Sequence, residues 1–190
     1  SMVQNNMNGV QISGLANLAG GSMHGVQIGG ISNVNGNNLA GLSVSGLVNI
    51  TGNKAKGVLI TGLSNIAGDN MRGLMMSGIM NITGDKAAGV QLAGLANVTG
   101  EEYDGLMLNV VGEEMNGLQL SGLANVTGGQ MNGVQLGLFN FASKAKGLQI
   151  GLFNYHKEDM KGLQLGLVNA NPQTKVQLMV FGGNSTKINV

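Results

Sequence analysis

Glycines recur on a fixed step, and that spacing restricts the fold more than any other feature of the chain. Those that open a unit stand at 9, 25, 41, 57, 73, 89 and 105, sixteen residues apart, and continue at 117, 133, 147 and 162 after steps of twelve, sixteen, fourteen and fifteen. A second glycine follows five residues later in most units, an asparagine three after that, and a third glycine closes the motif. With the opening glycine as position 1, the unit reads G-[VL]-Q-[IL]-S-G-L-A-N-[VI]-T-G-x-x-M-x. A unit this short cannot bury an apolar side alone, so stacked copies must share a core.

Helix is a poor fit. Three glycines in every sixteen residues would cost a helix about 1 kcal/mol each relative to alanine. The apolar positions instead alternate, as in Val10/Ile12, Val26/Ile28 and Val90/Leu92, which is the strand period. The alternation breaks at glycine and resumes on Leu15, Leu63 or Leu95. Glycine reaches backbone angles that suit a corner. One unit therefore reads as short strand, corner, short strand, glycine turn and a variable four-residue edge. The expected architecture is all-β: a β-solenoid, or small-coil parallel β-helix, of about eleven repeats over residues 1–170, with 171–190 as a C-terminal capping segment of the same domain. Stacked antiparallel hairpins predict the same columns with a different chain path.

Each column carries an expectation. Asn17, Asn33, Asn49, Asn65, Asn81, Asn97 and Asn125 form a structural ladder that ties one coil to the next at a bend. The N-x-T sequons at Asn49, Asn81, Asn97 and Asn125 follow from the repeat itself and argue little for glycosylation. Gln11, Gln27, Gln91, Gln119, Gln135, Gln149 and Gln164 lie between apolar neighbours, so they are expected to face outward as a ladder on the sheet. Met7, Met23, Met71, Met115, Met131 and Met160 share a column with Leu39, Ala55, Ala87 and Ala145, which reads as core packing. The threonines are single per unit and alternate with Ala19, Asn35 and Ala67, which does not make a paired ice-binding face.

Charge is scarce and confined. Only 10% of residues are charged and the formal net charge is +1, so no field draws in nucleic acid. Sixteen of the 19 charged residues occupy the four positions before an opening glycine, and residues 1–53 carry none. The unit opened by Gly105 has lost four residues, the equivalent of SGLA, while keeping Leu106/Leu108, the Asn109-Val110 step and the edge. A local notch is expected there, with Glu101, Glu102, Asp104, Glu113 and Glu114 close to it. Those five carboxylates are the one candidate cation patch, for a hard ion such as Ca²⁺ that prefers oxygen ligands. No calcium-loop motif accompanies them, and a solvated acidic edge that helps solubility is the favoured reading.

Nothing else points to chemistry. His24 and His156 lie in distant units, there is no cysteine, and no nucleophile elbow, P-loop or H-E-x-x-H is present. No catalytic and no cofactor-binding residue is assigned, and an enzyme is not expected. The alternative is a carbohydrate-active or cation-dependent ligand-binding domain working at the notch around residues 101–116. No run of 18 apolar residues occurs, so no transmembrane helix is expected, and no signal-peptide pattern is visible.

The early units, and more tightly GVQLGLFNF, GLQIGLFNY and GLQLGLVNA, resemble bacterial surface-repeat proteins built from tandem G-[VL]-Q-[IL]-G-L-x-N units. The resemblance covers about residues 9–170, and the early units depart from it by inserting one residue at the S-G step. It implies an extracellular, outer-membrane-associated or periplasmic bacterial protein and brings no activity or site residues. The expected role is a noncatalytic scaffold for adhesion, envelope structure or contact with a protein or glycan at the cell surface. The uncharged first coil is an open template for strand pairing, so either upstream residues cap it or two chains meet there as an end-to-end homodimer.

Overall fold

The computed structural model describes residues 1–172, together with the backbone of Gln177–Leu178 and Ile188–Asn189. Every regular element among them is a β-strand. The chain divides into two units, Ser1–Asp104 and Gly105–Val190.

In the first unit each coil holds a seven- or eight-residue strand and a four-residue strand, for example Met23–Gly29 and Ser32–Asn35. Successive long strands pair in parallel and in register: Gly9 lies beside Gly25, Gly25 beside Gly41, and so on to Gly89. The short strands do the same, with Asn17 beside Asn33 and Asn33 beside Asn49. Parallel pairing at a sixteen-residue offset is the signature of a β-solenoid and excludes antiparallel hairpins as the repeating unit. In the second unit Gly133 lies beside Gly147 and Gly147 beside Gly162. One residue of each shorter step is absorbed at the corner, where one glycine (Gly137, Gly151) replaces the Ser-Gly pair of the full unit, and the fourteen-residue step loses a second on the edge, where the register shifts between Thr127 and Gln130.

The eleven opening glycines have φ between +120° and +146°. A Cβ at Gly25, Gly41 or Gly57 would also land on the carbonyl oxygen of the glycine stacked beneath it. Both facts exclude any L side chain at this bend. Two further bends, at Gly30-Ile31 and Gly36-Asn37 in the second coil, complete the turn.

Burial overturns one expectation outright. Gln11, Gln27, Gln91, Gln119, Gln135 and Gln149 are buried, each 3% exposed or less, while Val10 and Ile12 are 61% and 66% exposed. The long strand runs through its opening glycine without losing its alternation. Met23 at position 15 of the preceding unit and Gln27 at position 3 therefore point to the same side, and both are buried. The interior of each unit is lined by Met, Leu or Ala at position 15, Gln or its replacements at 3, Asn at 9, and Ala, Asn or Thr at 11. The Met column is core, and so is the Thr column: Thr51, Thr83, Thr99 and Thr127 are buried. The apolar residues of positions 2, 4, 7 and 10 face outward.

The expected capping segment 171–190 falls largely outside the described residues. Of it, Gln177–Leu178 pairs antiparallel with Val168–Asn169, and Ile188–Asn189 with Gln177–Leu178.

Candidate functional site

Most interior amides are bound to one another, while Asn35 Oδ1, Thr51 Oγ1 and Thr99 Oγ1 are buried without a partner. Asn65 shows the pattern of the asparagine column. Its Nδ2 donates to Met76 O at 2.8 Å and to Asn81 Oδ1 at 2.9 Å, while its own Oδ1 accepts from Asn49 Nδ2 at 2.9 Å. The ladder runs Asn17, Asn33, Asn49, Asn65, Asn81, Asn97 in the first unit. In the second it runs Asn125, Asn140, Asn154, Asn169. Asn suits this place because its short amide reaches both a backbone carbonyl and the next amide, and a buried carbonyl left unpaired would destabilise the bend. Asn49, Asn81, Asn97 and Asn125 are buried, which takes the four sequons out of reach in the folded chain.

The glutamines form a second ladder. Gln135 Nε2 donates to Gln119 Oε1 at 2.5 Å, Gln149 Nε2 to Gln135 Oε1 at 2.6 Å and Gln164 Nε2 to Gln149 Oε1 at 2.6 Å. Across the interior, Gln91 Nε2 and Gln135 Nε2 donate to the Oγ1 atoms of Thr83 and Thr127, at 3.0 and 3.1 Å. In the first unit the same column turns apolar at Leu59 and Met75, both fully buried.

Among the described residues, two titratable groups enter this interior. Tyr103 takes the Met column, and its hydroxyl donates to Gly89 O at 2.7 Å; burial pushes its pKa up. His156 takes the Thr column, with Nδ1 3.0 Å from Gln164 Nε2 and Nε2 2.7 Å from Asn171 Nδ2. Burial pushes its pKa below the usual histidine value, and the carboxylate of Asp159 opposes that only in part.

The shortened coil does open a recess, of about 480 Å³, lined by Leu108, Asn109, Leu120, Ser121, Gly122, Leu136, Gly137 and Leu138. None of the five candidate carboxylates lines it. The missing residues belong to the corner between the two strands, whereas the carboxylates sit on the edge before the opening glycine. Asn109 does not join the asparagine column. It adopts φ +58° and accepts a hydrogen bond from Ser121 Oγ at 3.1 Å, so it makes the corner of a coil that lacks one. Val110 is buried in consequence, and the buried Oδ1 of Asn125 is left without a partner.

Of the five carboxylates, Glu102 pairs with Lys86 at 3.3 Å on the exposed edge. Among the described residues, no three His, Asp or Glu side chains stand where they could hold one metal ion. Glu101, Glu102 and Asp104 belong to the first unit, and Glu113 and Glu114 to the second.

Sequence reasoning missed the outward apolar columns. In the second unit aromatic pairs join them: Phe139 stacks on Phe153 at position 8 with centroids 5.3 Å apart, and Phe141 meets Tyr155 at position 10 at 6.1 Å. No known family model matches the chain, and neither a curated protein nor a solved structure matches it.

Proposed function

We propose that the chain is a noncatalytic repeat scaffold of a bacterial surface or secreted protein, serving adhesion, envelope structure or contact with a protein or glycan. The observation that carries this reading is how the interior polar groups are used. Asn and Gln, the side chains that could have formed a site, bond from coil to coil and hold the stack together. The recess presents leucine, glycine, Ser121 and Asn109, and no titratable group to act as acid, base or nucleophile. A fold alone assigns no function. The outward columns, repeated in every coil, are what this scaffold offers to a partner.

Protease shaving of intact cells expressing the full-length gene tests the reading. Release or cleavage of this segment from intact cells is the expected result. Protection in intact cells, with cleavage in lysed controls, overturns the surface placement.

A further inference from the structure

Each coil of the first unit presents different chemistry on different outward stretches. All nine charged residues of Ser1–Asp104, from Lys54 to Asp104, stand on the edge at positions 13–16. Positions 2 and 4 of the long strand, and position 10 of the short one, are Val, Leu, Ile or Met in all six coils. At the corner where those two strands meet stand Leu15, Ile31, Leu47, Leu63, Ile79 and Leu95, between 38% and 72% exposed. The coil is thus amphipathic around its circumference: a charged edge on one side, and two apolar strands meeting at a leucine-rich corner on the other.

We propose that this corner and the two strands beside it seat the first unit in one leaflet of a lipid bilayer, with the charged edge in the headgroup layer. A surface of this kind marks an interaction site, and its geometry selects the partner. The apolar surface continues from the long strand around the corner to the short strand. A protein partner packed on one strand leaves the other in water, whereas fluid acyl chains cover both and the corner together. The fold also suits a medium without water. The long strands from Met23–Gly29 to Met71–Ser77 pair with a coil on either side, backbone bonds continue round the corner, as in Leu63 N–H to Leu47 O at 3.1 Å, and amide ladders add to the buried Met, Leu and Ala side chains inside. From position 1 to the corner the strand spans about 20 Å, comparable with the thickness of one leaflet. The nine charges sum to −1 (four Lys and Arg against five Asp and Glu), so attraction to anionic lipid contributes little and apolar burial dominates. Taken by itself, the second unit repeats the design, with Phe141 exposed on the position 10 column and Leu138, Leu152 and Leu167 at the corner.

This rests on the noncatalytic scaffold reading and names its partner. The chain contains no tryptophan, so a single introduced one reports on its surroundings. The full chain carrying Leu47→Trp, or Lys56→Trp on the charged edge, is mixed with phosphatidylcholine vesicles, with and without phosphatidylglycerol, in low and high salt. The expected result is flotation with both lipids at both salts. The Leu47→Trp emission moves to the blue and is quenched by brominated acyl chains, and that of Lys56→Trp is not. Leu47→Gln combined with Leu63→Gln lowers partitioning by about a hundredfold, with the circular dichroism spectrum unchanged. A folded chain that does not float overturns the proposal, as does equal quenching of the two tryptophans, or flotation that needs anionic lipid and low salt. A dimer in light scattering that ignores vesicles also overturns it, in favour of a second copy on this surface. Release by shaving without vesicle binding removes the lipid seat and leaves the surface scaffold. Vesicle binding by a segment protected in intact cells does the reverse.

Discussion

Gly62 in the first unit and Gly122 in the second hold the same place in the repeat, position 6 at the corner. A Cβ on Gly62 would land on the carbonyl oxygen of Gly46, whereas one on Gly122 would meet nothing within 4 Å. The neighbouring backbone differs in the same sense. Leu63 N–H donates to Leu47 O at 3.1 Å, while Leu123 N–H turns to its own Ser121 Oγ at 3.1 Å. The first coil, which carries the same SGLAN at 13–17, solves the corner the same local way, with Leu15 N–H on Ser13 Oγ at 3.4 Å. The corner is therefore shaped by the coil beneath it, and its glycine is obligatory only where that coil supplies a carbonyl.

The largest expected effect breaks this comparison directly. Gly62→Ala forces a backbone shift in a close-packed stack and should destabilise by at least about 3 kcal/mol. Gly122→Ala should lie within about 0.5 kcal/mol of the parent, because alanine fits the space and restricts the unfolded chain. Urea unfolding of the two variants reads the difference; equal losses would mean that the corner after the short coil is as closely stacked as the rest.

The ladder sharpens the same contrast at a smaller scale. Asn65→Ala leaves Met76 O and Asn81 Oδ1 unpaired and strips the acceptor from Asn49 Nδ2, a loss of about 3 kcal/mol. Asn125→Ala orphans Leu136 O and Asn140 Oδ1, but its own Oδ1 already has no partner, so about 2 kcal/mol is expected. Thermal unfolding of the pair tests the order, and an Asn125 variant as damaging as the Asn65 one would contradict an interrupted ladder.

Much of this was written in the sequence, though not where intuition looks. The sixteen-residue offset gave parallel stacking because Gly25 must sit over Gly9 for the pattern to repeat. The Met column was legible because Leu and Ala replace it. The side on which Gln27 lies was legible too, since Met23 is four residues away on one strand and must share its face. The rule that apolar residues point inward overrode that parity. It fails here because a narrow coil can fill its interior with amides that bond from coil to coil, which leaves Val26 and Ile28 for the outside. Counting residues also showed that the short coil lacks four, but not which bend would open. Asn109 resembles a member of the asparagine column in sequence and becomes a corner in three dimensions, because closing a twelve-residue coil takes a left-handed residue that Asn tolerates.

The smallest effect concerns pH and again separates the units. Position 11 in the first unit is Ala, Asn or Thr, none of which titrates, while in the second it includes His156, 6% exposed. Its contacts come from Gln164 and Asn171, both uncharged, and Asp159 is the charged group that acts on it. Burial lowers the folded-state pKa below the value of the unfolded chain, so the unfolded chain binds a proton more readily. Stability from this site is complete above the ordinary histidine pKa of about 6.5 and declines as pH falls below it toward the folded-state value. Amide exchange, corrected for the intrinsic effect of pH, should rise on acidification over residues 153–169 and stay level over residues 23–83. His156→Thr, which places there the residue that the first unit uses at Thr51 and Thr83, should flatten that dependence. A response that survives the substitution would assign the acid sensitivity to the charged edge around Asp159 instead.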